Sequence, residues 1–310
     1  MIAVIGCGKW GKNWVRVLSA LKTLSVVGDS DRSQMVDVPY SVPRISGADV
    51  EDIIATMDVK GVVVATPAAT HYSIAKKLLL AGKDVLVEKP MTLDLTQGRE
   101  LVNIARKKHR ILMVGHVLEY HPAVVELKAL VKSGVLGNIK YIYSNRLNIG
   151  RVRTEENVLW SFAPHDISVI LSLLGMMPEQ VLSRGMCYLN KGIADTTVTI
   201  LEFSGEVKAH IFVSWLHPYK KQEMTVIGDK AMAVFDDTKA DNKLTVYEHQ
   251  LTNGQPTIYR TYHPPYSRVE PLKAECKNFI KCINTRAEPL VNGEKGLQVL
   301  EVLDRCQKAL

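Results

Sequence analysis

The sequence predicts two domains of different class. Residues 1–118 read as a doubly wound α/β domain with a parallel sheet. Residues 119–310 read as an α+β domain with a large, mostly antiparallel open sheet. Three observations carry this reading. Short apolar runs alternate with helical patterns over about the first 115 residues, as expected for a parallel sheet with crossover helices. From residue 139 the chain changes to strand-like runs separated by turn residues, as expected for antiparallel pairing. The length, 310 residues, suits two cores better than one.

The elements follow in order. Met1–Ile5 is an apolar run of strand length, too short to cross a membrane. Lys12–Leu21 has helical spacing, with Trp14, Val15, Leu18 and Leu21 on one face. Ser25–Gly28 is a second strand, with Asp29 at its end. Residues 33–44 are polar, carry Pro39 and Pro43, and read as a loop. Asp49–Met57 fits a short helix, and Gly61–Ala65 a buried parallel strand. Thr70 is expected to cap a helix from Tyr72 to Ala81, which Gly82 stops. Asp84–Val87 is the next strand. Asp94–Lys108 is a helix with a basic last turn, as the macrodipole favours. Ile111–Val114 is a further strand.

In the second half a helix is expected over Pro122–Lys132 and another over Ala163–Leu174. Strands are expected at Ile139–Ile149, Val181–Tyr188, Thr196–Phe203, Val207–Trp215, Glu223–Ile227, Met232–Asp236 and Leu244–His249. Two helices, Glu270–Thr285 and Gly296–Leu310, close the chain.

Between the first strand and helix lies Gly6-Cys7-Gly8-Lys9-Trp10-Gly11. Gly6 permits the tight turn, Gly8 lets a pyrophosphate approach the backbone, and Gly11 lets helix and strand pack closely. Asp29, 23 residues after Gly6, is placed to accept hydrogen bonds from a ribose diol. A glycine turn alone also joins strands and helices without a ligand. Here the strand, helix and acid agree, and dinucleotide binding is the expectation. A carboxylate at Asp29 would repel a 2′-phosphate, which favours NAD over NADP. Arg32 nearby is the one feature that would suit NADP.

Hydrophobic content of 46% and charged content of 23% are those of an ordinary globular protein. The net charge is +7, but Lys76-Lys77, Arg106-Lys107-Lys108 and Lys220-Lys221 are short and dispersed. No basic stretch interleaved with aromatics suggests a nucleic-acid partner, whereas a positive field suits an anionic small substrate. Five cysteines without a CxxC pair suggest free thiols in a reducing, cytoplasmic setting. No targeting peptide and no membrane span are expected. The histidines are scattered without an HxxH or HExxH pair, so no metal site is expected.

In open parallel sheets ligands sit beyond the carboxyl ends of the strands. Thr66-Pro67, Glu88-Lys89-Pro90 and Gly115-His116 should therefore converge. Lys89 could there place its ammonium beside a nicotinamide and a substrate hydroxyl; a lysine in a surface turn is the plain alternative. A second candidate is Trp160-Ser161-Phe162-Ala163-Pro164-His165-Asp166. Pro164 suits a first helical turn. That would put His165 near a helix N-terminus, where the dipole disfavours its protonated form and suits a base. Asp166 would hold the ring or cap the helix. A structural histidine packed by Trp160 and Phe162 is the alternative. Arg146, Asn148, Arg151, Arg153, Glu155, Glu156 and Asn157 form a polar cluster just upstream. It reads either as a solvated loop or as arginine forks for a substrate phosphate or carboxylate.

Taken together these motifs resemble the glucose–fructose oxidoreductase and inositol dehydrogenase family (Gfo/Idh/MocA) over nearly the whole chain. The marks are Gly6 to Gly11, Asp29-Ser30-Asp31, Ala65-Thr66-Pro67 with His71, Glu88-Lys89-Pro90, His165-Asp166, and Pro289-Leu290-Val291 with Gly296. The resemblance implies NAD(P)-dependent oxidation or reduction at a ring carbon of a cyclitol, sugar or nucleotide sugar. It implies a Rossmann domain and a second domain whose open sheet forms a homodimer or homotetramer. It also implies that Lys89 and His165 act at the reacting carbon. The implied cofactor contacts are Gly6, Gly8, Lys9, Trp10, Gly11, Asp29, Ser30, Thr66, Pro67, His71, Glu88, Lys89 and His116. The implied substrate contacts are Lys89, Arg146, Arg151, Trp160, Ser161 and His165.

One departure is visible. Many polyol-oxidising members carry an aspartate four residues before the histidine, and this chain has Ser161. The stretch Asn145–Asn148 through Trp160–Asp166 resembles a nucleotide-sugar subgroup, which implies 3-oxidation of a UDP-linked N-acetylhexosamine or its uronate. Two rivals are a non-catalytic NAD(H)-binding sensor and a keto-sugar or imine reductase.

Overall fold

The computed structural model describes residues 1–310 apart from 47–49, 150–152, 154–155 and 253–254. It divides into two compact units, Met1–Tyr120 with Glu270–Leu300, and His121–Val269 with Glu301–Leu310.

The first unit opens with β1 (Ile2–Ile5), α1 (Gly11–Ala20), β2 (Leu24–Asp29) and β3 (Arg44–Ser46). It continues through α2 (Val50–Ala55), β4 (Gly61–Val64), α3 (Ala68–Leu80), β5 (Asp84–Glu88), α4 (Leu95–Lys107) and β6 (Leu112–Gly115). The six strands form one sheet in the order β3-β2-β1-β4-β5-β6, and every pairing is parallel. β1, β4 and β5 are buried at every position, as strands covered on both faces must be. Strand reversal about β1 puts a crevice at the carboxyl ends of β1 and β4. Helix ends follow local chemistry. Asp94 caps α4 by accepting from the Gln97 amide at 2.9 Å. Gly82, at φ +79°, follows the last turn of α3. Pro67 occupies the cap position of α3, so Thr70 lies inside its first turn and donates to the Pro67 carbonyl.

The second unit begins with α5 (Pro122–Lys132), β7 (Ile139–Leu147) and α6 (Val158–Leu174). It continues with β8 (Gln180–Met186), β9 (Thr196–Glu202), β10 (Lys208–Ser214), β11 (Lys221–Gly228), β12 (Ala231–Asp236), β13 (Leu244–Thr252) and β14 (Gln255–Tyr262). Its eight strands run β14-β13-β12-β11-β7-β10-β9-β8. Only β7 with β10 is parallel; the other pairings are antiparallel. One sheet face is buried by Ile142, Leu201, Ala209, Ile211, Val213 and Val226. The other face shows Leu182, Val198 and Ile200, with Tyr143 stacked on His210.

Two expectations change here. The loop of residues 33–44 holds a 3-10 turn, Arg32–Met35, and ends at the edge strand β3. β14 has no counterpart in the sequence reading, because it is an edge strand exposed along most of its length and lacks alternation.

The chain then forms α7 (Pro271–Thr285) and α8 (Gly293–Lys308). The sequence placed both in the second domain, with a boundary at 118/119. The structure instead groups Glu270–Leu300 with the parallel sheet. The reason is packing. α7 buries Leu272, Cys276, Phe279 and Ile283. A Cβ on Gly61 would lie 2.4 Å from Ile283 Cδ1 and 3.1 Å from Phe279 Cζ, so α7 lies hard against the start of β4. Arg286 then grips Asp84 with two guanidinium nitrogens, at 2.6 and 3.1 Å.

Candidate functional site

The glycine turn is built by close approach. Gly6 has φ +91°, and a Cβ there would lie 2.7 Å from the Ala65 carbonyl carbon. A Cβ on Gly11 would lie 1.9 Å from the Gly6 carbonyl oxygen. Gly8 differs: nothing lies within 4 Å of its Cβ position. No side chain caps α1. An open Gly8 before an uncapped helix N-terminus fits a pyrophosphate. Lys9, Trp10 and Ser30 are exposed beside it.

Asp29 ends β2 with only 8% exposure. Its carboxylate accepts from the Cys7 amide and, at 2.8 Å, from the Asp31 amide. It thus anchors the glycine turn and keeps lone pairs for a ribose diol. Burial, then the Asp29 charge, pushes the Cys7 thiol up to about 12, so it is inert at neutral pH.

Glu88 ends β5 and is buried. One oxygen accepts from the Trp10 and Trp14 indoles, the latter at 2.7 Å. The other accepts from the Lys89 amide at 3.2 Å. The exposed Trp10 ring is therefore pinned by its N–H to the strand end that carries Lys89. His71 is buried; Nδ1 lies 2.8 Å from the Pro90 carbonyl oxygen and Nε2 2.9 Å from that of Thr66. His116, past β6, is also buried, and its Nδ1 has no hydrogen-bond partner among the described residues. Burial, then the Lys89 charge, brings His116 down to about 3, so the ring is neutral. The Lys89 charge acts on His71, Glu88 and His116 alike. The strand ends after β4, β5 and β6 thus meet around Lys89, which is half-buried.

The sequence reading missed one buried residue of this unit, which the Glu88 charge reaches. Glu275 of α7 is fully buried, and neither carboxyl oxygen has a hydrogen-bond partner among the described residues. Burial, then the Glu88 charge, raises its pKa well above the ordinary range. Burial also raises Glu88, but there the Trp14 and Trp10 indoles, the Lys89 charge and the Lys89 amide oppose it. The available signal was helical spacing: Glu275 falls among the inward residues Leu272, Cys276 and Phe279.

The second unit carries the other candidates. α6 starts at Val158, and Asn157 caps it by accepting from the Trp160 amide at 3.3 Å. Pro164 is therefore inside the helix rather than in its first turn. His165 sits two turns in, so the helix-terminus argument for its neutral form does not apply. Asp166 lies inside the helix and does not cap it. It is 2% exposed and accepts from Arg146 Nε at 2.8 Å, from a second Arg146 nitrogen at 3.1 Å, and from the Ser144 hydroxyl at 2.6 Å. Arg146 is buried in that pair. Two of its guanidinium nitrogens bond Asp166. Ser161 is buried one helical turn before His165. The Trp160 indole donates to Gln307 Oε1 at 2.9 Å. Arg151 and Glu155 lie outside the described residues. No cluster of metal-ligating side chains occurs among the described residues, and none of their helices is long and apolar enough to cross a membrane.

Comparison with known proteins agrees with this architecture. Residues 1–116 match the model of an oxidoreductase family with an NAD-binding Rossmann fold. Residues 124–234 match the GFO/IDH/MocA C-terminal domain. A UDP-N-acetylglucosamine 3-dehydrogenase from Acidithiobacillus ferrooxidans is 25% identical over 96% of this chain and 93% of its own. Its solved structure superposes with a TM-score of 0.87 at 23% identity, covering 100% of this chain and 97% of that one. A crystal structure from Magnetospirillum magnetotacticum MS-1 gives 0.88 at 30% identity over 98% of both chains. An inositol 2-dehydrogenase from Rhizobium meliloti is 23% identical over 99% of this chain and 96% of its own.

Proposed function

Because this chain belongs to the Gfo/Idh/MocA family of NAD(P)-dependent oxidoreductases, we propose that it is an NAD-dependent dehydrogenase of a nucleotide sugar. The reaction proposed is oxidation of the C3 hydroxyl of a UDP-linked N-acetylhexosamine, or of its uronate, to the ketone. One observation carries the reading: three strand ends meet around Lys89, with a neutral His116 and a triply bonded Glu88 beside it. The likeness to a UDP-N-acetylglucosamine 3-dehydrogenase over 96% of the chain supports the substrate class.

The cofactor, when bound, supplies the hydride acceptor. Gly6, Gly8 and Gly11 would leave room for its pyrophosphate at the N-terminus of α1, and Asp29 would take the ribose hydroxyls. Asp29 would disfavour a 2′-phosphate, which is the basis for NAD over NADP. The Lys89 ammonium donates to the substrate oxygen and polarises it. The His165 imidazole accepts the hydroxyl proton. Ser161, where many relatives have an aspartate, leaves His165 without a carboxylate at that position. This is the one observation in favour of the reverse, reductive direction. Assembly through the exposed sheet face of Leu182, Val198 and Ile200 and a cytoplasmic location belong to the same reading.

The test is a panel of UDP-sugars and inositols with NAD or NADP, followed at 340 nm. Turnover of UDP-N-acetylhexosamines with NAD is expected. Cofactor binding without turnover of any polyol, sugar or keto sugar would instead fit a sensor.

A further inference from the structure

We propose that His71 is a positioning residue for the chemistry at Lys89, its imidazole tying the chain that leaves β4 to the chain that leaves β5. The inference rests on the reading that Lys89 acts at the reacting carbon.

The two strands pair in parallel from Gly61↔Asp84 to Val64↔Val87, and there the ladder ends. Beyond it come Thr66-Pro67 on one side and Lys89-Pro90 on the other. Neither proline has an N–H, so the backbone has lost donors at both places where the ladder would have to continue. Yet this is where spacing matters, because Lys89 lies between the last paired residue and Pro90. His71, in the first turns of α3, spans the gap. Nδ1 is 2.8 Å from the Pro90 carbonyl oxygen and Nε2 is 2.9 Å from the Thr66 carbonyl oxygen. The ring is 1% exposed, so its removal would leave a buried carbonyl unsatisfied rather than hydrated. Both ring nitrogens face backbone carbonyls.

The two contacts are not equivalent. A neutral imidazole has one N–H and donates to one carbonyl; only the cation donates to both. Burial, reinforced by the Lys89 charge, holds the ring below its usual pKa and favours the neutral form, against the pull of the two carbonyls. The brace requires the N–H at Nδ1, which faces the carbonyl of Pro90, the residue after Lys89.

Three substitutions test this. His71→Leu removes both contacts. His71→Asn returns a donor near Nδ1, and His71→Gln returns one near Nε2. Displacing a reacting group by about 1 Å costs on the order of 10²-fold in rate. The Leu variant should therefore lose about 10²-fold in kcat, with KM and NAD(H) affinity each within about threefold. His71→Asn should recover about tenfold of that loss, and His71→Gln less. Hydrogen exchange without substrate should be faster in His71→Leu over residues 64–71 and 86–92 and unchanged in β1 and β2. A folded Leu variant with wild-type kcat overturns the proposal, as does a loss confined to NAD(H) affinity or unchanged exchange in both segments. If the wild type turns over no sugar, the reading of function fails, while the exchange experiment still decides the brace.

Discussion

Arg146 Nε lies 2.8 Å from Asp166 Oδ2, and both side chains are buried. The pair joins β7 to the turn of α6 that carries His165, one residue before Asp166. Ser144, two residues before Arg146 on the same sheet face, adds a hydroxyl to the same carboxylate. A helix with a proline inside it has lost an amide, and this three-residue anchor holds the turn that follows.

Removing one partner should be costly. Arg146→Met leaves a buried, uncompensated carboxylate, and a loss of about 3–5 kcal/mol is expected. Urea denaturation of the single variants and of Arg146→Met with Asp166→Leu checks it. The double variant should recover most of the loss, since no charge is then stranded.

The glycines should separate binding from folding. Gly8→Val has open space around its Cβ position. Thermal stability should stay within about 1 kcal/mol, as for a substitution away from packed features, while NAD affinity falls at least about tenfold (about 1.4 kcal/mol). Gly11→Val, facing the Gly6 carbonyl, should lower stability as well. Calorimetry with and without NAD distinguishes the two.

Lys89→Ala and His165→Ala should each lower kcat by about 10²–10⁴-fold, the usual contribution of a positioned acid or base. NAD affinity should change little. Steady-state rates at 340 nm and a cofactor titration give both quantities. Unchanged turnover in both variants would remove these residues from the chemistry.

Glu275 should leave a mark on the pH dependence of stability. Its folded-state pKa is raised above the ordinary glutamate value. The folded protein therefore binds a proton that the unfolded chain releases once the pH passes about 4.3. Its contribution is fully present at acid pH and shrinks as pH rises from there toward the raised value. Glu275→Gln should thus gain stability relative to wild type between pH 5 and 8, with the gap widening upward. Denaturation midpoints at several pH values test it; a constant gap would show Glu275 ionising normally.

The parallel sheet was legible because each buried strand is a continuous apolar run closed by a turn signal. Gly6, Gly8 and Gly11 were legible because each is required by a close approach or an opening. His165 was placed at a helix start from Pro164. The signal that mattered was Asn157, which caps the helix seven residues earlier and outweighs a proline tolerated inside it. Arg146 read from its polar neighbours either as part of a solvated loop or as a fork for a substrate anion; strand alternation turns it inward onto Asp166. β14 and β3 escaped notice because edge strands need no apolar pattern.

The sequence by itself determined the two fold classes, the glycine turn and the strand ends where Lys89 and His116 sit. Local spacing and turn chemistry suffice for these, since they act between residues near each other in the chain. Tertiary structure alone decided that α7 returns to the parallel sheet, that the Glu88 charge acts on Glu275, and that Arg146 belongs to Asp166. Each joins residues far apart in sequence or on different elements, and burial, which no local pattern reports, sets their charge and role.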